Sequence, residues 1–269
     1  MKFLERLVLA ALRRLAPRAS TGFRESAINI AVDGEIARLL AKREHDGFVT
    51  VEAGPFAGLK LLKASRTTGH IAKVLGVYER QVAIALQQAA RANPTRFINV
   101  GSGDGYYLVA MGRLLPQARL IGFDTSDQAN EEARKVLAAN GMADRAELPG
   151  HCDRNALAAV LAQDSLLLVD CEGYEADLLD PEALPELRRA TMVVELHDFA
   201  RPGVTELLRQ RCAATHRIDI LDQDQPLPTA SPDLAALPES IVRTIVSERR
   251  SCLMRWMVMV PLDDQAALR

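Results

Sequence analysis

The spacing of hydrophobic positions changes character along the chain. In MKFLERLVLAALRRLAPR (1–18), Phe3, Leu4, Leu7, Val8, Ala11, Leu12 and Leu15 share one helical face, and Lys2, Glu5, Arg6 and Arg13 share the other. That predicts an amphipathic helix over 2–16, ended by Pro17. FVTVEAGPFAGLKLLK (48–63) alternates and breaks at Gly54-Pro55 and Gly58, a hairpin pattern. YERQVAIALQQAARAN (78–93) predicts a helix stopped at Asn93-Pro94.

From Arg96 the rhythm becomes strand, turn, helix. RFINVG, RLIGFD, RAEL, SLLLVDC and TMVVELH predict strands; YYLVAMGRLL, QANEEARKVLAANG, NALAAVLAQ and VTELLRQRCAA predict helices. Unbroken Val, Leu and Ile runs belong to strands covered on both faces. Their alternation with helices implies a doubly wound, mostly parallel α/β sheet. HRIDIL (216–221) and LMRWMVMV (253–260) are strand-like with no full helical crossover evident between them, so they are expected to pair antiparallel at the sheet's edge. The division expected is an N-terminal extension over 1–94 and an α/β domain over 95–269.

Composition narrows the class. The chain has 269 residues, of which 48% are hydrophobic, enough for a full core. A formal net charge of −2 lacks the basic excess of a nucleic-acid binder, and no nucleic-acid partner is expected. Cys152, Cys171, Cys212 and Cys252 are scattered without a C-x-x-C pair, which fits a reducing compartment and a cytoplasmic location. No apolar run reaches the length of a membrane span. LVLAAL runs into Arg13 and Arg14, so a signal peptide is not expected. The helix over 2–16 leaves three placements open: on its own domain, on a second copy in a homo-oligomer, or on a membrane surface.

NVGSGDGYY (99–107) ends a strand in Gly101, Gly103 and Gly105 and enters a helix. Glycine permits left-handed backbone and close approach of a ligand, so the turn reads as a nucleotide-binding loop. The dinucleotide form G-x-G-x-x-G is not met: Tyr106 follows Gly105, and its bulk argues against a pyrophosphate. Asp124 ends the next strand, where a carboxylate accepts hydrogen bonds from ribose hydroxyls. GHCD (150–153) follows the third strand, and Cys152 and Asp153 are the candidates for the adenine edge; Asp153 equally suits a helix cap.

These motifs resemble a family. NVGSGDG, GFD, LLVDCEGYEADLL and VVELHDF, in that order, resemble the FkbM-like family of class I S-adenosylmethionine-dependent methyltransferases, and GPFAGLKL and LGVYE resemble its lead-in. The likeness spans residues 48–200, with a weaker echo in MRWMVMV. It implies a seven-stranded sheet with an antiparallel last strand, S-adenosylmethionine as cofactor, and methyl transfer to a hydroxyl of a small-molecule acceptor, a sugar or polyketide-like product. It also draws Tyr78 and Glu79 to the cofactor, with Gly101, Gly103, Asp104 and Gly105 at its methionine and ribose side. Asn99 stands where many class I enzymes carry an acid, so the cofactor's amino group is expected to rest on backbone carbonyls or Asp170. The alternatives are a nitrogen or macromolecular acceptor, and a nucleotide-binding protein without methyl transfer.

A hydroxyl acceptor must lose its proton to a base or beside a metal. VDCEGYE (169–175) supplies Asp170, Glu172 and Glu175, and VELHDF (194–199) supplies Glu195, His197 and Asp198, each after an apolar run. His197 is the candidate base, oriented by Asp170 or Glu195. Alternatively Asp170, Glu195 and His197 ligate Mg²⁺ or another divalent ion. Asp170 stands out because a charge closing SLLLV needs a use or a partner. Glu175 is expected to begin the next helix in solvent. His70 and His151 read as isolated loop positions.

Overall fold

The computed structural model describes residues 21–65, 67, 69–224, 227, 231–235, 237–247 and 254–262, with the side chains of 21–28, 31 and 240 left aside. The helix expected over 2–16 lies outside these residues. The described chain begins with a helix, Thr21–Arg43. A small antiparallel sheet follows, made of β1 (Glu44–His45), β2 (Phe48–Thr50) and β3 (Lys60–Leu62). β2 and β3 pair Phe48 with Leu62 and Thr50 with Lys60, the hairpin that the alternation predicts. Helices His70–Leu75 and Arg80–Ala89 complete this part.

The main sheet contains β4 (Arg96–Val100), β5 (Arg119–Phe123), β6 (Ala146–Gly150), β7 (Ser165–Val169), β8 (Thr191–Glu195), β9 (His216–Asp222) and β10 (Arg255–Pro261). Its order is β6-β5-β4-β7-β8-β10-β9. The β6–β8 stretch pairs in parallel, and β10 runs antiparallel to both β8 and β9. This is a seven-stranded, mostly parallel sheet with an antiparallel C-terminal pair, as the resemblance implies. Helices Pro232–Ala235 and Glu239–Val246 occupy the β9–β10 connection, where the sequence pattern predicts none.

Pleating explains why the strands read as unbroken apolar runs. Phe97, Leu166 and Leu168 face one hydrophobic cluster, while Ile98, Val100, Leu167 and Val169 face the other. The first cluster also takes in Val49, Phe56, Leu61, Leu75 and Leu86, so the N-terminal part forms a layer of the main core. Asn140 fastens it further: its side chain donates to the Lys60 carbonyl at 2.8 Å and accepts from the Lys60 N–H at 3.0 Å. Among the described residues no helix is long and apolar enough to cross a membrane.

The order reverses direction between β4 and β7, the point in open α/β sheets where ligands bind beyond the carboxyl ends of the strands.

Candidate functional site

The loop after β4 is held tightly by its neighbours. Gly101 and Ser102 both donate to the carbonyl of Phe123, at 2.8 and 2.9 Å. Gly101 has φ +81°, and a Cβ there would stand 1.7 Å from the carbonyl oxygen of Asp170. Only glycine lets these two loops pass. Gly103 donates to Asp124 Oδ2 at 2.8 Å, and Ser126 donates to Asp124 Oδ1 at 2.8 Å. The Asp124 carboxylate thus ties the glycine loop to the turn after β5, and each oxygen keeps a second acceptor position. Gly105, at φ +83°, stands just before helix Tyr106–Leu114 and packs against Ala133 of helix Asp127–Ala139.

Between these loops lies an open cleft of about 450 Å³. Gly101, Asp124, Cys152, Asp170, Glu172 and Tyr174 are among its lining residues. His151 lines it too, so this histidine is not the isolated position its sequence context suggests. Burial, with Asp153 beside it, pushes the Cys152 thiol up to about 12. Cys171 is likewise raised by burial and by Glu175. Both are neutral thiols at ordinary pH, polarisable walls rather than nucleophiles.

Asp104 turns away from this cleft. Its side chain is buried, with Lys73 Nζ 3.1 Å from Oδ1 and the hydroxyls of Ser65 and Thr67 each donating to Oδ2 at 2.8 Å. Burial alone would raise its pKa; Lys73 and the two hydroxyls outweigh that and bring it down to about 2. Lys73 also sits 5.1 and 5.4 Å from the ring centres of Tyr78 and Tyr106. His70, on the same short helix, is buried with neither ring nitrogen hydrogen-bonded, and burial lowers its pKa to about 4.

A second polar cluster stands at the ends of β7 and β8. His197 is 1% exposed, and its Nδ1 lies 2.7 Å from Glu175 Oε1. The same oxygen accepts from the N–H groups of Cys171 and Gly173, at 3.2 and 3.3 Å. Nε2 of His197 faces Asp170 at 3.5 Å, Glu172 at 3.6 Å and Glu195 at 3.7 Å. Burial alone would lower the pKa of His197, but Glu175 and then Asp170 and Glu172 raise it. Burial alone would raise Glu175, but His197 and the turn's N–H groups lower it.

The structure therefore brings Gly101, Asp124, Cys152 and Asp170 to one cleft and gathers Asp170, Glu195 and His197 beside it. Several expectations are corrected. Glu175 is not solvated: it is fully buried, because the left-handed turn at Glu172 (φ +55°) and Gly173 (φ +103°) folds it back under His197. Asp170, Glu172 and His197 offer one donor atom each within 4.8 Å of one another, a group that could hold a metal ion, and Glu195 faces the same His197 nitrogen at 3.7 Å. Asp153 caps helix Arg154–Val160 by accepting from Ala156 N–H at 2.7 Å, and it lines a separate hollow with Arg154 and Tyr174. Asn99 is buried, its amide 3.4 Å from the Leu168 carbonyl. Tyr78 packs edge-on against Tyr106, and buried Glu79 accepts from the Tyr107 hydroxyl at 2.6 Å, so these two brace the helix behind the glycine loop. Lys73, Ser65 and Thr67 carry polar contacts that no spacing rule singles out; a lone lysine within HIAKVL is the one hint.

No protein-family profile and no curated protein matches the chain. Among solved structures it is similar to the O-methyltransferase TomG from Streptomyces achromogenes in complex with SAM, at 15% identity and TM-score 0.44, covering 69% of this chain and 82% of that one. It is similar to precorrin-6y C5,15-methyltransferase from Geobacter metallireducens, at 11% identity and TM-score 0.47, covering 73% and 94%. It is also similar to an O-methyltransferase from Bacillus cereus in complex with SAH, at 10% identity and TM-score 0.44, covering 94% and 96%. Likenesses this distant carry no argument about chemistry, which rests on the residues of the cleft.

Proposed function

We propose that this chain is an S-adenosylmethionine-dependent methyltransferase of FkbM-like type acting on a hydroxyl of a small molecule, a sugar or polyketide-like product. The observation that supports this most is the cleft at the β4–β7 reversal, bounded by Gly101, Asp124 and Cys152. The residues fit an adenosine carrying a sulfonium. Asp124 has two free acceptor positions for ribose hydroxyls. Cys152 offers a neutral, polarisable wall to the adenine. Asp170 and Glu172 supply negative charge on the far side. About 450 Å³ is within the usual range of small-molecule sites.

When bound, the sulfonium supplies an electrophilic methyl group; the protein supplies position and electrostatics. Gly101 keeps the loop low enough for close approach. Gly103 and Gly105 shape it, and Asp104 anchors it from behind through Lys73. Asp170 is shared between the cleft and the His197 cluster, so the acceptor is activated beside the methyl group by Asp170, His197 and Glu195. In this reading the domain over 95–269 carries the transfer site, and the described residues of the N-terminal extension brace it.

The test is a calorimetric titration with S-adenosylmethionine, with NAD as control, on the wild type and Asp124→Ala. The expected result is micromolar binding of S-adenosylmethionine alone, lost in the variant. Binding of NAD instead, or no binding of either, overturns the cofactor. Turnover with amines but not alcohols would overturn the acceptor class alone.

A further inference from the structure

We propose that Asp170, Glu172 and His197 form a divalent-cation site that takes Mn²⁺ or a similar transition ion in preference to Mg²⁺. The three donor atoms come from the loops after β7 and β8 and converge within 4.8 Å. Nε2 of His197 lies 3.5 to 3.7 Å from the facing carboxylate oxygens. Charge-assisted hydrogen bonds are shorter, about 2.7–2.9 Å. Two ligands that each stand about 2.1 Å from one ion are separated by roughly 3.0–3.4 Å. The observed spacing is nearer to that of ligands around a common ion.

The histidine supplies an independent argument. It is 1% exposed, and its Nδ1 is fastened to the Glu175 carboxylate at 2.7 Å. Nδ1 therefore carries a hydrogen, which leaves Nε2 as the nitrogen that would meet an ion, as in metal-binding histidines oriented by a second carboxylate. Nε2 faces three carboxylates. Repulsion among them is relieved by a cation at their common point. Among the described residues no lysine or arginine pairs with Asp170, Glu172 or Glu175. The nearby Arg201 is engaged by Asp177, and Arg255 stands 3.6 Å from Asp198.

The donor set decides the kind of ion. One imidazole and two carboxylates suit Mn²⁺, Fe²⁺, Co²⁺ or Zn²⁺, whereas Mg²⁺ prefers oxygen alone. Three protein ligands leave positions open for water or an acceptor, and Glu172, with its side chain 81% exposed, leaves that side accessible. An ion here would draw electron density from an acceptor hydroxyl and ease loss of its proton to water. That role rests on the methyl-transfer reading; the binding does not.

The experiment is titration of the chelator-stripped, full-length protein with MnCl2, followed by the electron paramagnetic resonance of free Mn²⁺, with MgCl2 as control. Glu172→Gln and His197→Gln are titrated alongside, and S-adenosylmethionine binding is measured on the same samples. We expect one Mn²⁺ per chain and weaker Mg²⁺ binding. Both variants should lose about tenfold or more in affinity. Glu172→Gln, at an exposed position, should leave the unfolding midpoint unchanged. Absence of Mn²⁺ binding at millimolar concentration overturns the site, as does binding unaltered in both variants. Mn²⁺ binding without S-adenosylmethionine binding would uphold the site and sink the methyl-transfer reading.

Discussion

Oε1 of Glu175 lies 2.7 Å from Nδ1 of His197 and also receives the N–H groups of Cys171 and Gly173. One carboxylate oxygen thus fixes both the turn after β7 and the ring after β8. Glu175→Ala would leave three donors without an acceptor. We expect a loss of about 2–4 kcal/mol, and about half of that for Glu175→Gln, which keeps an oxygen but not the charge. Urea unfolding, followed by the fluorescence of the single, buried Trp256, reads both. Equal losses in the two variants would mean that the charge carries the whole effect and a neutral oxygen none of it; no loss in Glu175→Gln would mean that the charge contributes nothing.

The surroundings of the glycine loop predict two acid transitions. Burial lowers His70 to about 4, so the unfolded chain takes up its proton below about 6.5 while the folded chain resists until about 4. Stability therefore falls as pH drops through that window, by about 3 kcal/mol, with His216 adding in the same direction. Asp104, lowered to about 2, contributes stability that is present above the ordinary carboxylate range. It is lost as pH falls from about 4 through 2, an effect of about 2 kcal/mol. Stability measured against pH for the wild type and His70→Leu checks this: the slope between pH 6.5 and 4 should shrink in the variant. An unchanged slope would assign that transition to other groups.

The pair Lys73–Asp104 joins the N-terminal layer to the glycine loop through a buried ion pair. Removing one partner strands the other charge, so Lys73→Met is expected to lose about 3–5 kcal/mol. The double variant Lys73→Met/Asp104→Leu should recover part of that, since an apolar pair needs no compensation. Additive losses across the cycle would show that the two charges act separately.

How far the sequence reveals this molecule varies with the range of each interaction. The strands of the main sheet show in unbroken apolar runs such as SLLLV, because burial on both faces removes any alternation. The glycine loop and Asp124 show because backbone geometry and strand-end position are local properties. Helix Thr21–Arg43 does not show: its described buried contacts reduce to Val32 and Leu39, too sparse for a clear stripe. Glu175 reads as a solvated helix start, because a backbone reversal at Glu172–Gly173 is needed to carry it under a histidine 22 residues onward. Lys73 meets Asp104 across 31 residues, a pairing that no local pattern encodes. Asp153 satisfies both its readings in sequence, and the cap becomes visible only through the position of the Ala156 N–H.

Two glycines of the same loop should respond differently to a methyl group. At Gly101 an alanine Cβ would overlap the Asp170 carbonyl at 1.7 Å, and both are backbone, so neither yields without moving a strand end. At Gly103 the nearest atom to a Cβ is the Thr67 methyl at 3.9 Å, leaving only the left-handed φ of +51° as an obstacle. Gly103→Ala is therefore expected to lose about 1–2 kcal/mol, the ordinary strain of a left-handed alanine. Gly101→Ala should lose distinctly more and widen the β4–β7 gap that forms the cleft floor. Urea midpoints rank the two, and calorimetry with S-adenosylmethionine shows whether Gly103→Ala still binds while Gly101→Ala does not. If Gly101→Ala retains both stability and binding, the close approach to Asp170 is not what shapes the cleft.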